Sequence, residues 1–159
     1  MIKLYKRSSK GSLSYREAWI DKNKVVEHWG KVGTRGECKT HKMPIPNKEQ
    51  SLESILQSAR QAGFAEIDLD KHRKLIVEYG VHDMVTVTDL DKRSRLEERL
   101  NNDLGWTGLG MCDGGSIGSG SMEVCCFVVD FALARAIVES SLAGTEFADY
   151  TRIYDEDVK

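Results

Sequence analysis

Within eight positions, Trp29-Gly30-Lys31-Val32-Gly33-Thr34-Arg35-Gly36, the chain gathers one tryptophan, two cations and three glycines. The chemistry such a set offers is non-covalent. Phosphates meet Lys31 and Arg35, and a sugar or base packs on the ring of Trp29. Gly33-Thr34-Arg35-Gly36 has the composition of a tight turn between two strands. Glycine there permits positive φ and lets another backbone come close. The same residues also admit a purely structural reading, in which the tryptophan before a hairpin turn is a packing residue and the lysine is solvated.

Trp29-Gly30-Lys31-Val32-Gly33 resembles the signature of the WGR domain, named for its Trp-Gly-Arg triplet, which occurs in poly(ADP-ribose) polymerases and in many bacterial proteins. Ala18-Trp19-Ile20 upstream, a helical run from about Lys48 and Gly63-Phe64 at its end are similar to that domain's succession, and the resemblance covers residues 1–68. It implies a surface for a DNA backbone or DNA end. Trp29 would pack on a terminal sugar, Gly30 belongs to the signature, and Lys31, Arg35, Lys39 and Lys42 would meet phosphates. The third signature residue is Lys31 in place of arginine, which keeps the charge and loses the planar two-pronged donor. In the polymerases that arginine contacts the DNA end and neighbouring domains, and those contacts are not implied here.

Charge agrees with a polyanion partner for the first half. The whole chain of 159 residues carries a formal −2. Residues 1–68 hold 13 Lys and Arg against 8 Asp and Glu, a net +5, whereas residues 69–159 hold 10 against 17, a net −7. Residues 1–48 alone reach +8, with 12 cations and 4 acids. Such a split suits nucleic acid on the basic half, or attraction between the halves, or both.

Other chemistry is sparse. The run Gly105 to Ser121 is rich in glycine, yet a G-x-G-x-x-G from Gly108 meets Asp113 and one from Gly118 meets Glu123. It contains no P-loop pattern and does not lead into a helix, so a bulged hairpin with a Gly/Ser tip is expected. A small ligand on Trp106 and Asp113 is the alternative there. His28, His41, His72 and His82 have no nucleophile partner in sequence, and the two small domains leave no residues for the polymerases' long catalytic domain. No catalytic residue and no cofactor is expected. Cys38, Cys112, Cys125 and Cys126 form no Cys-x-x-Cys pair. Cys38 and His41, even with His28, lack a standard zinc spacing. Buried reduced thiols and no metal are expected, in a cytoplasmic protein without signal peptide or membrane span.

The elements that must position these residues follow from periodicity. Alternation predicts strands from Ile2, over Tyr15–Ile20, Val25–Val32 and Glu37–Met43, an antiparallel meander stopped by Pro44 and Pro46. Asn47 as N-cap, Leu52, Ile55, Leu56 and Ala59 on one face and Gly63 as stop predict a helix on that sheet. A polar linker spans Glu66–Lys74. The remainder reads as strand Leu75–Tyr79, a helix opened by Thr88 with Asp91 as a capping box and closed at Gly105, a strand within Gly108–Ile117, a strand Met122–Val129, a helix capped by Asp130 and stopped at Gly144, and a strand Tyr150–Tyr154. That order is similar to a ferredoxin-like β-α-β-β-α-β domain. Met122–Val129 is apolar on both faces, which predicts that something covers the sheet's second face.

The expected fold is therefore α+β, a WGR-like domain over 1–68 and a ferredoxin-like domain over 69–159. The expected function is a non-catalytic nucleic-acid-binding module with DNA as partner. The alternative is a protein-interaction or regulatory adaptor that binds a partner, or itself, through the ferredoxin-like domain.

Overall fold

Two-residue alternation near the N-terminus has to give strands, and it does. A computed structural model of the chain, which describes residues 2–42, 47–81 and 85–158, places four of them in the first unit, Met1–Asp68. These are β1 (Ile2–Arg7), β2 (Leu13–Asp21), β3 (Lys24–Lys31) and β4 (Glu37–Lys42), antiparallel in the order β1-β2-β3-β4. Met43, Pro44 and Pro46, expected to end the sheet, lie outside the described residues, as does His82.

Helix α1 (Lys48–Gln61) packs on one face of this sheet, where Leu4, Ala18, Leu56 and Ala59 form a buried cluster flanked by Leu52, Ile55 and Phe64. Asn47 holds the N-cap position, but its side chain makes no capping bond. Gly63, at φ +88°, lets the chain reverse after the helix. The chain then returns to β1, where Tyr5 and Ala65 exchange two backbone hydrogen bonds of 2.7 and 2.9 Å. This contact covers part of the edge that β1 would otherwise expose.

The second unit, Leu69–Lys159, opens with a short 3-10 turn, Leu69–Lys71, inside the expected linker, and its first strand begins at Arg73. Its elements are β5 (Arg73–Gly80), α2 (Val87–Trp106), β6 (Gly110–Gly118), β7 (Ser121–Val128), α3 (Phe131–Leu142) and β8 (Arg152–Asp155). The sheet order is β6-β7-β5-β8 with every neighbouring pair antiparallel, so β7 lies between β5 and β6. The chain is thus α+β, with two small antiparallel sheets and three helices among the described residues.

Both helices of this unit use the same sheet face. Leu96, Leu100 and Leu104 of α2, with Ala134, Val138 and Leu142 of α3, bury fully against Leu75, Val77, Val124, Cys126 and Val128. The opposite face carries the row Cys125, Ile76 and Tyr154. Ile76 is 4% exposed and Phe127 is half-buried. Charges around them are paired, Lys74 with Glu156 and Arg152 with Glu78.

The glycine-rich run forms the expected hairpin. Ser119 and Gly120, both at positive φ, make its two-residue tip, and register slips between Cys112 and Gly115. The outer edge of β6 is guarded by α2: Asn101 Oδ1 accepts from the Cys112 N–H at 2.9 Å, and Arg93 donates to the Gly115 carbonyl at 3.2 Å. Cys112 and Cys126 are a direct cross-strand pair, Cα to Cα 3.9 Å, joined as a disulfide. This corrects the expectation of four buried reduced thiols. Two are bonded, and of the free ones Cys38 is exposed and Cys125 half-buried. Adjacent strand positions place Cys125 and Cys126 on opposite faces, so only Cys126 can reach Cys112.

The cap of α2 is also corrected. Thr86 and Asp89, two residues upstream of the expected pair, form the reciprocal capping box. The last helix begins as expected, with Asp130 accepting from the Leu133 N–H at 3.0 Å. Among the described residues no helix is long and apolar enough to cross a membrane.

These assignments give a direct check. Thr86→Ala should cost about 1 kcal/mol in urea denaturation, the usual worth of an N-cap. Thr88→Ala, one turn position inside, should shift stability by no more than a few tenths of a kcal/mol. Equal losses would place the helix start elsewhere.

Candidate functional site

Strand parity decides what the eight-residue stretch presents. His28 and Gly30 point to the sheet face away from α1, and Trp29 and Lys31 point to the face that carries it. On the first of these faces the register aligns Lys3, Glu17, His28 and Cys38 in one row across all four strands, with Tyr5, Tyr15 and Gly30 in the next. Glu17 and His28 are buried at 4% and 0% exposure, as is Tyr15 at 0%.

Within this row Glu17 and His28 bond each other and, through His28, the turn. His28 Nδ1 lies 2.7 Å from Glu17 Oε1, and Nε2 lies 2.6 Å from the Arg35 carbonyl oxygen and 2.9 Å from the Tyr15 hydroxyl. The Tyr15 hydroxyl in turn donates to the Thr34 carbonyl at 3.1 Å. Lys3 completes the row with its ammonium 3.3 Å from Glu17 Oε2. Burial lowers the Lys3 pKa, and Glu17 beside it opposes that shift.

The turn at residues 32–36 is therefore folded over the sheet and held there by side chains. Its glycines are required by this contact. A Cβ on Gly36 would collide with the Trp29 carbonyl oxygen and stand 2.5 Å from the Tyr15 hydroxyl, at a φ of +63°. One on Gly30 would stand 2.7 Å from the Gly36 Cα and 3.2 Å from the Tyr15 ring. Sequence reasoning placed Gly30 in a binding signature. The structure gives it a packing reason.

On the α1 face, the end of the sheet nearest this turn collects cations. One row runs Lys6–Ser14–Lys31 and the next Leu4–Arg16–Trp29–Glu37. Lys6 and Lys31 are exposed, Arg16 and Trp29 half-buried, and Arg35 is exposed on the turn. Lys6 donates to the Ala62 carbonyl at the end of α1 at 2.6 Å, and both Lys6 and Arg16 lie over the Phe64 ring at 5.8 and 5.4 Å. The loop between β1 and β2, carrying Lys10, is at the same end of the sheet. Lys6 and Arg16 were missed from sequence. They sit on other strands, and only the register brings them beside Trp29.

Two expected members do not join. Lys39 pairs opposite Glu27, four residues and about 13 Å along β3 from Lys31. Lys42 pairs opposite Lys24, about 23 Å away, and points to the other face. A carboxylate also intrudes, since Glu37 stands directly across from Trp29. His41 is 3.4 Å from Glu27 and does not approach Cys38 or His28 as a ligand would, because it lies on the opposite face from both. Among the described residues no three His, Cys, Asp or Glu side chains converge as a metal site. In the second unit Trp106 closes α2 and Asp113 lies in the β6 bulge, both exposed and on separate elements.

Comparison with protein-family models, with curated proteins and with solved structures finds no match to this chain.

The buried phenols supply a pH test. Burial raises the pKa of Tyr5, Tyr15 and Tyr79 above the ordinary 10.0, helped by Glu17 for the first two and by Asp149 for the third. A raised folded value favours the protonated phenol in the native state. Its stabilisation is complete below pH 10.0 and is lost as pH climbs toward the folded values. In an alkaline titration, phenolate absorbance from these three should appear together with loss of far-UV circular dichroism. Ionisation of all five tyrosines with the dichroism unchanged would contradict their burial.

Proposed function

We propose that the chain is a non-catalytic nucleic-acid-binding module whose first unit holds a DNA backbone or DNA end. The observation that carries this reading is the cluster of Lys6, Arg16 and Lys31 around Trp29 at one end of the sheet, beside the turn that carries Arg35. Phosphates would meet the four cations and a terminal sugar would pack on the exposed part of the indole. The WGR-like signature supports the reading on residues alone, and the +8 balance of residues 1–48 agrees with it. Lys39 and Lys42 would add to the general field and not to the contact.

Affinity should depend steeply on salt. Four phosphate contacts correspond to a slope of about −3.6 in log K against log salt on duplex DNA. Fluorescence anisotropy on a nicked, labelled duplex at several salt concentrations tests this. Arg16→Ala and Lys31→Ala should each reduce the slope by about 1, whereas Lys42→Ala should leave it nearly unchanged. Salt-independent affinity, or equal effects from Lys31 and Lys42, would sink the proposed surface.

A second reading, a protein-interaction adaptor, is favoured by one observation in the second unit. On the sheet face opposite α2 and α3, Phe127 is half-buried and its cross-strand neighbour Met111 is exposed. If that face binds a second copy, light scattering after size exclusion should give a dimer mass that Phe127→Glu converts to a monomer. A monomer at all concentrations would remove self-association from this reading.

A further inference from the structure

We infer that the row Lys3–Glu17–His28, together with Tyr15, is the positioning device for the turn at residues 32–36, fixing the backbone from which Arg35 reaches a phosphate chain. The inference rests on the polyanion reading given above and adds residues that themselves touch no ligand.

Within itself the turn is closed by the Thr34 N–H and hydroxyl, which donate to the Lys31 carbonyl at 3.0 and 2.7 Å. Val32 is buried and its N–H bonds the Leu13 carbonyl at 2.9 Å, but Gly33, Thr34, Arg35 and Gly36 expose their side chains or have none. The carbonyls of Thr34 and Arg35 are taken by side chains of the sheet, at 3.1 Å by Tyr15 and 2.6 Å by His28. Arg35 is thus held at its own peptide, so its side chain leaves from a fixed point. A cation held this way loses less freedom on binding than one on a loose loop.

The composition of the row argues for the same role. Burying Glu17 and Lys3 carries a desolvation penalty that apolar residues of similar volume would avoid, so stability alone does not call for them. What the row supplies is direction. Lys3 and Glu17 fix the His28 ring, the ring points Nε2 at the Arg35 carbonyl, and Tyr15 fixes the neighbouring carbonyl. Gly30 and Gly36 leave room for the Tyr15 ring and hydroxyl between strand and turn.

Tyr15→Phe is the informative variant, because it deletes one hydroxyl and keeps the ring that fills this space. The full-length chain would be compared as wild type, Tyr15→Phe, Arg35→Ala and the double variant. Two readouts are needed: trypsin cleavage after Arg35 without ligand, with cleavage after Arg60 in α1 as control, and anisotropy on a nicked duplex at one salt concentration. Tyr15→Phe should speed cleavage at Arg35 about tenfold while Arg60 stays unchanged, because the deleted hydroxyl bonds both the Thr34 carbonyl and His28. It should weaken duplex binding about five- to tenfold. The double variant should bind no worse than Arg35→Ala alone, since Tyr15 acts through Arg35. Losses that multiply, or cleavage that rises equally at Arg60, would show a general structural role and overturn the inference. If wild type binds duplex but Tyr15→Phe leaves cleavage at Arg35 unchanged, the inference falls and the polyanion reading stands. A wild type that binds no duplex removes the polyanion reading, and this inference with it.

Discussion

The hydrogen bond from His28 to the Arg35 carbonyl is the constraint on which the first unit turns. It joins a strand to the turn that follows it only a few residues later, and it does so inside the sheet's buried face. For that bond to form, the ring must be aimed by Glu17, Glu17 must be balanced by Lys3, and no Cβ can stand at Gly30 or Gly36. Removing any one of these leaves a buried polar group without its partner, which is why such networks stand or fall together.

This gives the Trp29–Gly36 stretch two separate jobs. Its glycines and the residue before its tryptophan serve the fold. Its tryptophan and cations are the groups that the proposed function assigns to a polyanion. Period-two alternation enforces the division, because neighbours along β3 must face opposite ways. His28 and Gly30 go to the hydrogen-bonded face, and Trp29 and Lys31 go to the face of α1. The same rule takes Lys42 out of the cationic cluster and brings Lys6 and Arg16 into it.

The second unit solves a different problem, the protection of a glycine-rich edge. β6 has few side chains to deter another strand, and its bulge interrupts pairing with β7. Asn101 and Arg93 of α2 occupy outward-facing backbone groups of that strand, and the Cys112–Cys126 bond fastens it to β7. Glycine is nevertheless needed at two places, because a Cβ at Gly110 or Gly115 would collide with a β7 carbonyl oxygen. The run that resembles a phosphate loop by composition is therefore a close-packed hairpin.

Much of the architecture was legible in the residues themselves. Local alternation, helical spacing and turn chemistry produced the order of strands and helices and the Asp130 cap, because those signals act over a few positions along one chain. The α2 cap was misread by two residues because Thr86 and Thr88 each stand three residues before an aspartate, and only the helix's actual start distinguishes them. The disulfide, the buried row and the places of Lys6 and Arg16 in the cationic cluster were not legible at all. Each joins residues on different strands, up to 25 positions apart in the case of Lys6 and Lys31, and strand register decides which of them meet. The sequence by itself determined which residues alternate and where the chain turns. The tertiary structure decided which face each residue shares and with whom, because a one-residue change of register would exchange every partner.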